Sequence, residues 1–303
     1  MQHLFGYGVM DMPVDGARKY KVVLPVAGLG TRLLPATKEQ PKEMLPIFAP
    51  DGRGGRCLKP LLQLVFEQLY NYGFREFIFV VGRGKRAVED HFTPDAQFVE
   101  ELERRGKTEY SRIVGDFYRM LSDSVLTWVN QPSPLGFGHA VLITRHVVGS
   151  GPLIVQAGDT YIHSDGNRHI SRVIEVFESR NADAVILLKR VADPRIYGVV
   201  EGKSIGERIV EITGVEEKPE RPRSNLAIMP LYVFKGLIFK ALETVKPDSR
   251  GEIQLTDGIQ RCIEWGGRVY GVEIGEGYVM DIGNPASYWE ALQTSYALAS
   301  MNK

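Results

Sequence analysis

Arg32, Lys38 and Lys42 follow closely on an apolar run broken by glycine, VVLPVAGLGTRLLPATKEQPKEMLPI over residues 22–47. Gly28 and Gly30 let backbone N–H groups approach phosphate oxygens with no Cβ in the way. Arg32 carries a permanently charged fork that can grip phosphate oxygens, and Lys42 adds a point charge. An anion cradle with two cations is the outline of a nucleoside triphosphate site. Two better-known glycine loops do not fit. The spacing G-x-x-x-x-G-K-[ST] of a Walker A loop is absent after Gly28. The dinucleotide fingerprint fails at Leu33, where its third glycine belongs, and Pro35 keeps a helix from starting cleanly at the turn.

The elements that must position these residues read as α/β. Val22–Pro25 is a buried strand. Apolar residues at Leu61, Leu62, Val65, Phe66, Leu69 and Tyr70 give Leu58–Tyr72 a helical period, closed by Gly73. Glu76–Val81 is a second buried strand, and strand–helix–strand units of this kind build parallel sheets with right-handed crossovers. Further strands are expected at Pro152–Ala157, Ala182–Lys189, Asn225–Phe234, Val269–Ile274 and Tyr278–Asp281, with hairpin-rich structure around Tyr197–Val215 and a closing helix Pro285–Ala299. Phe98–Leu121, rich in Glu and Arg with spaced apolar residues, reads as helices laid across the core.

At 303 residues and 44% hydrophobic, the chain can bury a sizeable core. Its formal net charge is zero, which speaks against nucleic acid or a membrane surface as partner. Positive charge for phosphate must therefore be gathered locally. Cys57 and Cys262 are the only cysteines and have no metal-ligand spacing, so two free thiols in a reducing cytoplasm are expected. No apolar run is long enough for a membrane span. Residues 1–20 read as a weakly ordered extension rather than a signal peptide, with Met10 or Met12 as alternative starts. The six histidines form no H-x-x-x-H pattern, and His139 reads as a packing or backbone-bonding residue.

The run Ala27–Lys38 followed by Pro41–Pro46 closely resembles the opening motif of the sugar-nucleotidyltransferases, and within them the uridylyltransferases. The similarity continues through Tyr197–Val200, Glu217–Pro219, Ser224–Ile228, Arg250–Asp257 and Asp281–Asn284, spanning about nine-tenths of the chain. The resemblance implies a Rossmann-like, mostly parallel mixed sheet flanked by helices, with a smaller β-rich sugar-binding portion. On this reading residues 1–20 are the extension, 21–285 the catalytic domain (nucleotide-binding half 21–190, sugar-binding half 191–285) and 286–303 a C-terminal helix. It implies Mg²⁺-dependent transfer of the uridylyl group of UTP to glucose 1-phosphate, releasing pyrophosphate, in a homodimer or homotetramer. A dTTP-using enzyme and a non-catalytic sugar-nucleotide-binding regulator are the alternatives. The helical insert near residues 98–121 resembles the uridylyltransferases and favours uridine. The segment Ala49–Leu58 departs from the family, which runs almost directly from L-P-I to K-P-L. It is expected to be a solvated loop, with leaning over the triphosphate as its other option.

Such a reaction needs no strong general base, because a phosphate monoester with a second pKa near ~6 is largely dianionic at neutral pH. Positioning and positive charge carry it. Arg32 is assigned to the leaving pyrophosphate and Lys42, in a loop held by Pro41 and Pro46, to the α-phosphate; Lys38 is left out as structural. Ala27, Gly28, Gly30 and Thr31 form the cradle. By resemblance Asp159 and Asp281 are the metal pair, although Thr160 stands where a second acid often follows the first. Gln131 and Gly136, in QPSPLGFGHAV, resemble the segment that reads the pyrimidine edge, and Glu43 takes N3–H or a ribose hydroxyl. Gly198, Glu217, Lys218 and Asn225 match the sugar-phosphate pocket, with Arg250 a further candidate. Glu217 and Lys218 are neighbours, which on a regular strand point to opposite faces; both serve only if the chain bends there.

Overall fold

The computed structural model describes residues 14–301. Its strands, in chain order, are β1 Lys21–Pro25, β2 Pro46–Pro50, β3 Arg56–Pro60, β4 Glu76–Val81, β5 Val125–Asn130, β6 Leu153–Gln156, β7 Thr160–His163, β8 Ala184–Arg190, β9 Gly198–Gly206, β10 Ile209–Glu217, β11 Leu226–Phe234, β12 Val269–Glu273 and β13 Tyr278–Asp281. Nine of them form one sheet in the order β5-β4-β1-β6-β11-β8-β12-β10-β9. The first four are mutually parallel. β11 then enters antiparallel to both β6 and β8. The β-rich later part is thus continuous with the parallel first part through one hydrogen-bonded sheet.

Alternation along β1 explains the layering. Val22 and Leu24 pack into one apolar cluster with the helices Leu61–Tyr72 and Arg168–Ser179, while Val23 packs into another with Leu237–Thr244 and Leu255–Glu264. All three valine and leucine side chains are fully buried, as expected of a strand covered on both faces. The insert folds as two helices, Ala96–Arg104 and Thr108–Ser122.

Three expectations are revised. Residues 58–60, read as the start of a helix, belong to strand β3; the helix begins at Leu61, directly after Pro60. Residues 49–58 are the end of a hairpin, β2–β3, rather than a solvated loop. That hairpin docks on the C-terminal helix Pro285–Met301 and away from the Gly28 turn. Phe48 meets Tyr296 edge-on at 5.0 Å, the Arg56 guanidinium lies 4.0 Å from the Tyr296 ring centre, and Tyr288 donates to the Pro46 carbonyl at 2.9 Å. Finally, part of the expected extension is packed: Ala17 and Tyr20 are buried, and the Tyr20 hydroxyl donates to Glu178. Residues 1–13, with Met10 and Met12, lie outside the described residues.

Candidate active site

Because β5, β4, β1 and β6 run parallel, their C-terminal ends open on one edge of the sheet, where α/β folds bind ligands. From that edge β1 leads into the Gly28 turn, β4 into Lys85, β5 into Gln131 and β6 into Asp159. Between them lies a cleft of roughly 370 Å³ whose walls include Ala27, Gly28, Gly30, Thr31, Arg32, Lys42, Glu43, Gln131, Gly136 and Asp159. The expected nucleotide residues are therefore gathered in one place.

The turn is built by two glycines for different reasons. Gly30 has φ 67°, a left-handed value that suits a residue without Cβ, and Thr37 donates to its carbonyl at 2.8 Å. Gly28 is not demanded by packing, since a Cβ there would make an ordinary 3.5 Å contact with Lys42 Cε; its bare backbone lines the cleft. Arg32 follows in a single 3-10 turn over Thr31–Leu33 and is exposed to the cleft. Among the described residues no carboxylate lies within ion-pair distance of it. A Cβ at Gly283 would stand 2.7 Å from Asp281 Oδ2 and 3.2 Å from Arg32 Nη2, so the glycine after Ile282 makes space for the carboxylate first and the guanidinium second.

Lys42 heads another 3-10 turn, Lys42–Met44, opened by Pro41. Its ammonium donates to Asp159 Oδ2. Burial works against the lysine's charge, but Asp159 and then Glu43 hold it above its ordinary pKa. Burial likewise opposes the Asp159 carboxylate, and Lys42 outweighs it, holding that carboxyl below its usual range. Glu43, 1% exposed, pairs with Lys85 at 2.8 Å, and burial pushes its carboxyl up against the pull of Lys85 and Lys42. Lys85 was missed from the sequence. A lysine in G-R-G-K reads as surface, and only the turn of β4 toward Glu43 buries it.

Asp281 reaches the site by a route with no sequence signal. β7 and β13 form a separate two-stranded ribbon in which Asp281 lies opposite Thr160. Ile282 N–H donates to the Asp159 carbonyl at 3.2 Å. Residues 122 positions apart are thereby adjacent in space. Burial raises the Asp281 pKa, and the facing Asp159 charge raises it further. Two neighbouring carboxylates that repel each other suit a hard cation. Mg²⁺ keeps several waters and takes one or two carboxylates, so this donor set fits it.

A second cleft, of roughly 550 Å³, adjoins the first and shares Arg32, Phe137 and Asp159 with it. Gly198, Glu217, Lys218 and Asp281 line it, as do Tyr197 and Thr256. Lys218 has φ 45°, so the chain does bend there, and its N–H returns to the Tyr197 carbonyl at 3.0 Å. Neighbouring side chains can thus both face the cleft: Lys218 Nζ lies 3.0 Å from Glu217 Oε1, while Thr256 Oγ1 donates to Glu217 Oε2 at 2.6 Å. A Cβ at Gly198 would press on the Thr256 methyl at 3.0 Å and Ile228 Cδ1 at 3.1 Å, and stand 3.2 Å from that carboxylate.

Two expected residues are not brought to the clefts. The side-chain oxygen Oδ1 of the exposed Asn225 accepts from Arg190 at 3.0 Å. The Arg250 guanidinium turns to Asp248 at 3.2 Å and Glu252 at 3.5 Å, acids two residues to either side that satisfy it locally. Glu252, rather than Arg250, lines the nucleotide cleft. Gly136 does line it, but its lack of a side chain answers to the protein: a Cβ would stand 2.7 Å from the Ile253 carbonyl.

Residues 21–297 match the nucleotidyl transferase family model. The chain is 32% identical over 280 residues to a UTP–glucose-1-phosphate uridylyltransferase of Pseudomonas aeruginosa, covering 91% of this chain and 95% of that protein. Its fold superimposes on UDP-glucose pyrophosphorylase complexed with UDP-glucose at TM-score 0.79 and 28% identity, over 92% of this chain and 99% of the other. A UTP-bound UGPase from Acinetobacter baumannii is similar at TM-score 0.79 and 29% identity, over 93% and 96%. A glycine turn, a lysine–aspartate pair and a second acid converge at the end of the sheet, within a similarity that runs almost from end to end: the chain belongs to the nucleotidyl transferase family.

Proposed function

We propose that this protein is a UTP–glucose-1-phosphate uridylyltransferase. Its reaction is attack by a phosphate oxygen of glucose 1-phosphate on the α-phosphorus of UTP, forming UDP-glucose and releasing pyrophosphate. The observation that carries the reading is the pair of clefts that share Arg32 and Asp159. A triphosphate lying along the Gly28 turn and a sugar phosphate beside Lys218 would meet at that shared wall.

The sugar phosphate arrives already ionised, so the residues have charge to manage rather than a proton to remove. Lys218 would hold the attacking phosphate and Glu217 the sugar hydroxyls. Lys42 would meet the α-phosphate, and Arg32, which has no ion pair among the described residues, the negative charge growing on the leaving pyrophosphate. Asp159 and Asp281 would hold Mg²⁺, which when bound offsets triphosphate charge. Asp159→Asn is expected to raise the magnesium concentration needed for half-maximal rate by about tenfold or more, the scale of losing one of few ligands. An unchanged magnesium titration would remove Asp159 from this role.

Homo-oligomerisation is supported by the C-terminal helix, where Trp289 and Tyr296 are exposed beside Leu58 of the docked hairpin. A cytoplasmic setting is supported by two free thiols, Cys57 and Cys262. Among the described residues no helix is long and apolar enough to cross a membrane. The decisive assay is pyrophosphate release across UTP, dTTP, CTP and GTP, crossed with several hexose 1-phosphates. Fastest turnover is expected with UTP and glucose 1-phosphate; a clear preference for dTTP, or no turnover with any pair, would overturn the proposal.

A further inference from the structure

We infer that His139 sets the choice of pyrimidine, by fixing which end of the Gln131 amide faces the base. The inference rests on the uridylyltransferase reading and deepens it. Gln131 follows directly on β5, lines the nucleotide cleft and is only 5% exposed. Its amide nitrogen lies 3.2 Å from the Gly136 carbonyl and 2.9 Å from His139 Nδ1.

A backbone carbonyl can only accept, so the group beside Gly136 must be the NH₂ end of the amide. One of its two hydrogens is thereby used. The other points at His139 Nδ1, which must accept and therefore carries no proton; the imidazole is neutral, with its hydrogen on Nε2. Burial lowers the His139 pKa, in keeping with that neutral form. Both donors of Gln131 are then spent inside the protein. What remains is Oε1, to which no described protein group donates.

The anchor is itself fixed. Gly136 has φ 97°, and the chain on either side of it is tied to one strand-like segment: Ile253 N–H donates to Leu135 O at 2.8 Å, and Gly138 N–H to Ile253 O at 2.9 Å. The carbonyl of Gly136 cannot swing away without breaking that clamp. His139 supplies the second constraint, on the short helix Phe137–Leu142 that starts there.

An amide that offers only an acceptor is a filter. Uracil presents a hydrogen at N3 and satisfies Oε1. Cytosine presents a lone pair at N3, so two acceptors would face each other in a buried site, at a cost comparable to a lost hydrogen bond. Without His139 Nδ1, the amide keeps only the Gly136 bond to hold its orientation. It can then rotate and present N–H to cytosine. His139 is thus a positioning residue that acts through Gln131, which is more specific than the packing role read from the sequence.

The test is kcat/KM for UTP and for CTP, each with glucose 1-phosphate, in the wild type, His139→Phe and His139→Asn. The phenylalanine keeps a ring without an acceptor; the asparagine can return an oxygen close to the place of Nδ1. His139→Phe is expected to lower UTP efficiency while raising CTP efficiency, shrinking the UTP:CTP ratio by about tenfold or more. His139→Asn is expected to keep most of the ratio. A gain on CTP is not something damaged folding produces. If the phenylalanine variant does not fold, His139→Leu provides the same comparison. A UTP-selective wild type with an equally selective His139→Phe or His139→Leu overturns the inference alone, as does His139→Asn losing as much selectivity as the apolar variants. A wild type as efficient with CTP as with UTP overturns the nucleotide reading beneath it.

Discussion

Lys42→Met is expected to lower turnover by on the order of 10³-fold and to destabilise the fold by roughly 3–5 kcal/mol. Both effects come from one ammonium. In the resting protein it is the group bonded to Asp159, and the pair is largely out of water, with side-chain exposures of 14% and 20%. Removing it strands a carboxylate whose burial already opposes its charge. It also takes away one of the two positive charges, Lys85 and Lys42, that draw the buried Glu43 carboxyl down. The catalytic loss is separate: Lys42 faces the cleft where the α-phosphate would lie, and a fixed cation in a dry site is worth far more than in water. Thermal unfolding and single-turnover pyrophosphate release, measured together, check the two parts. A variant with lowered turnover but unchanged melting temperature would mean that the Lys42–Asp159 pair contributes little to the fold.

Arg32→Ala should give the opposite pattern, with turnover reduced about 10²-fold or more and stability left within about 0.5 kcal/mol. Arg32 is exposed, sits on a 3-10 turn that Gly30 and Thr37 hold without its side chain, and has no ion pair among the described residues. Among the described residues the guanidinium makes no ion pair and only draws the Asp281 carboxyl down from a distance, so its loss is expected to be felt chiefly when phosphate is present. Because the charge it would meet grows as pyrophosphate departs, kcat should fall more than KM rises. Arg32→Lys is expected to recover part of the rate, since a point charge replaces a fork. A rate near that of the wild type in Arg32→Ala would remove Arg32 from the mechanism. A drop in melting temperature comparable to that of Lys42→Met would show that the arginine is structural.

Much of this protein was legible in local sequence because the relevant physics is local. A glycine turn after an apolar strand, a proline-braced lysine, and the strand–helix–strand period of residues 58–81 each depend on residues a few positions apart. Glu217 and Lys218 were named through the family resemblance, but the requirement for a bend between them was visible in the alternation of strand side chains. Other features were decided by tertiary structure alone. Asp159 meets Asp281 only because β7, a four-residue strand not anticipated from the sequence, pairs with β13. Lys85 becomes a buried partner of Glu43 only through the sheet order that sets β4 beside β1. Asn225 looked available for a sugar phosphate, but its side-chain oxygen is taken by Arg190, 35 positions away, whereas Arg250 is satisfied by acids two residues to either side. His139 gained its role from a contact across a glycine turn. The division has one cause. Turns and periodicities are set by bonded neighbours, whereas carboxylates, cations and amides acquire their partners through the fold, since Coulomb and hydrogen-bond energies depend on distance in space and are indifferent to distance along the chain.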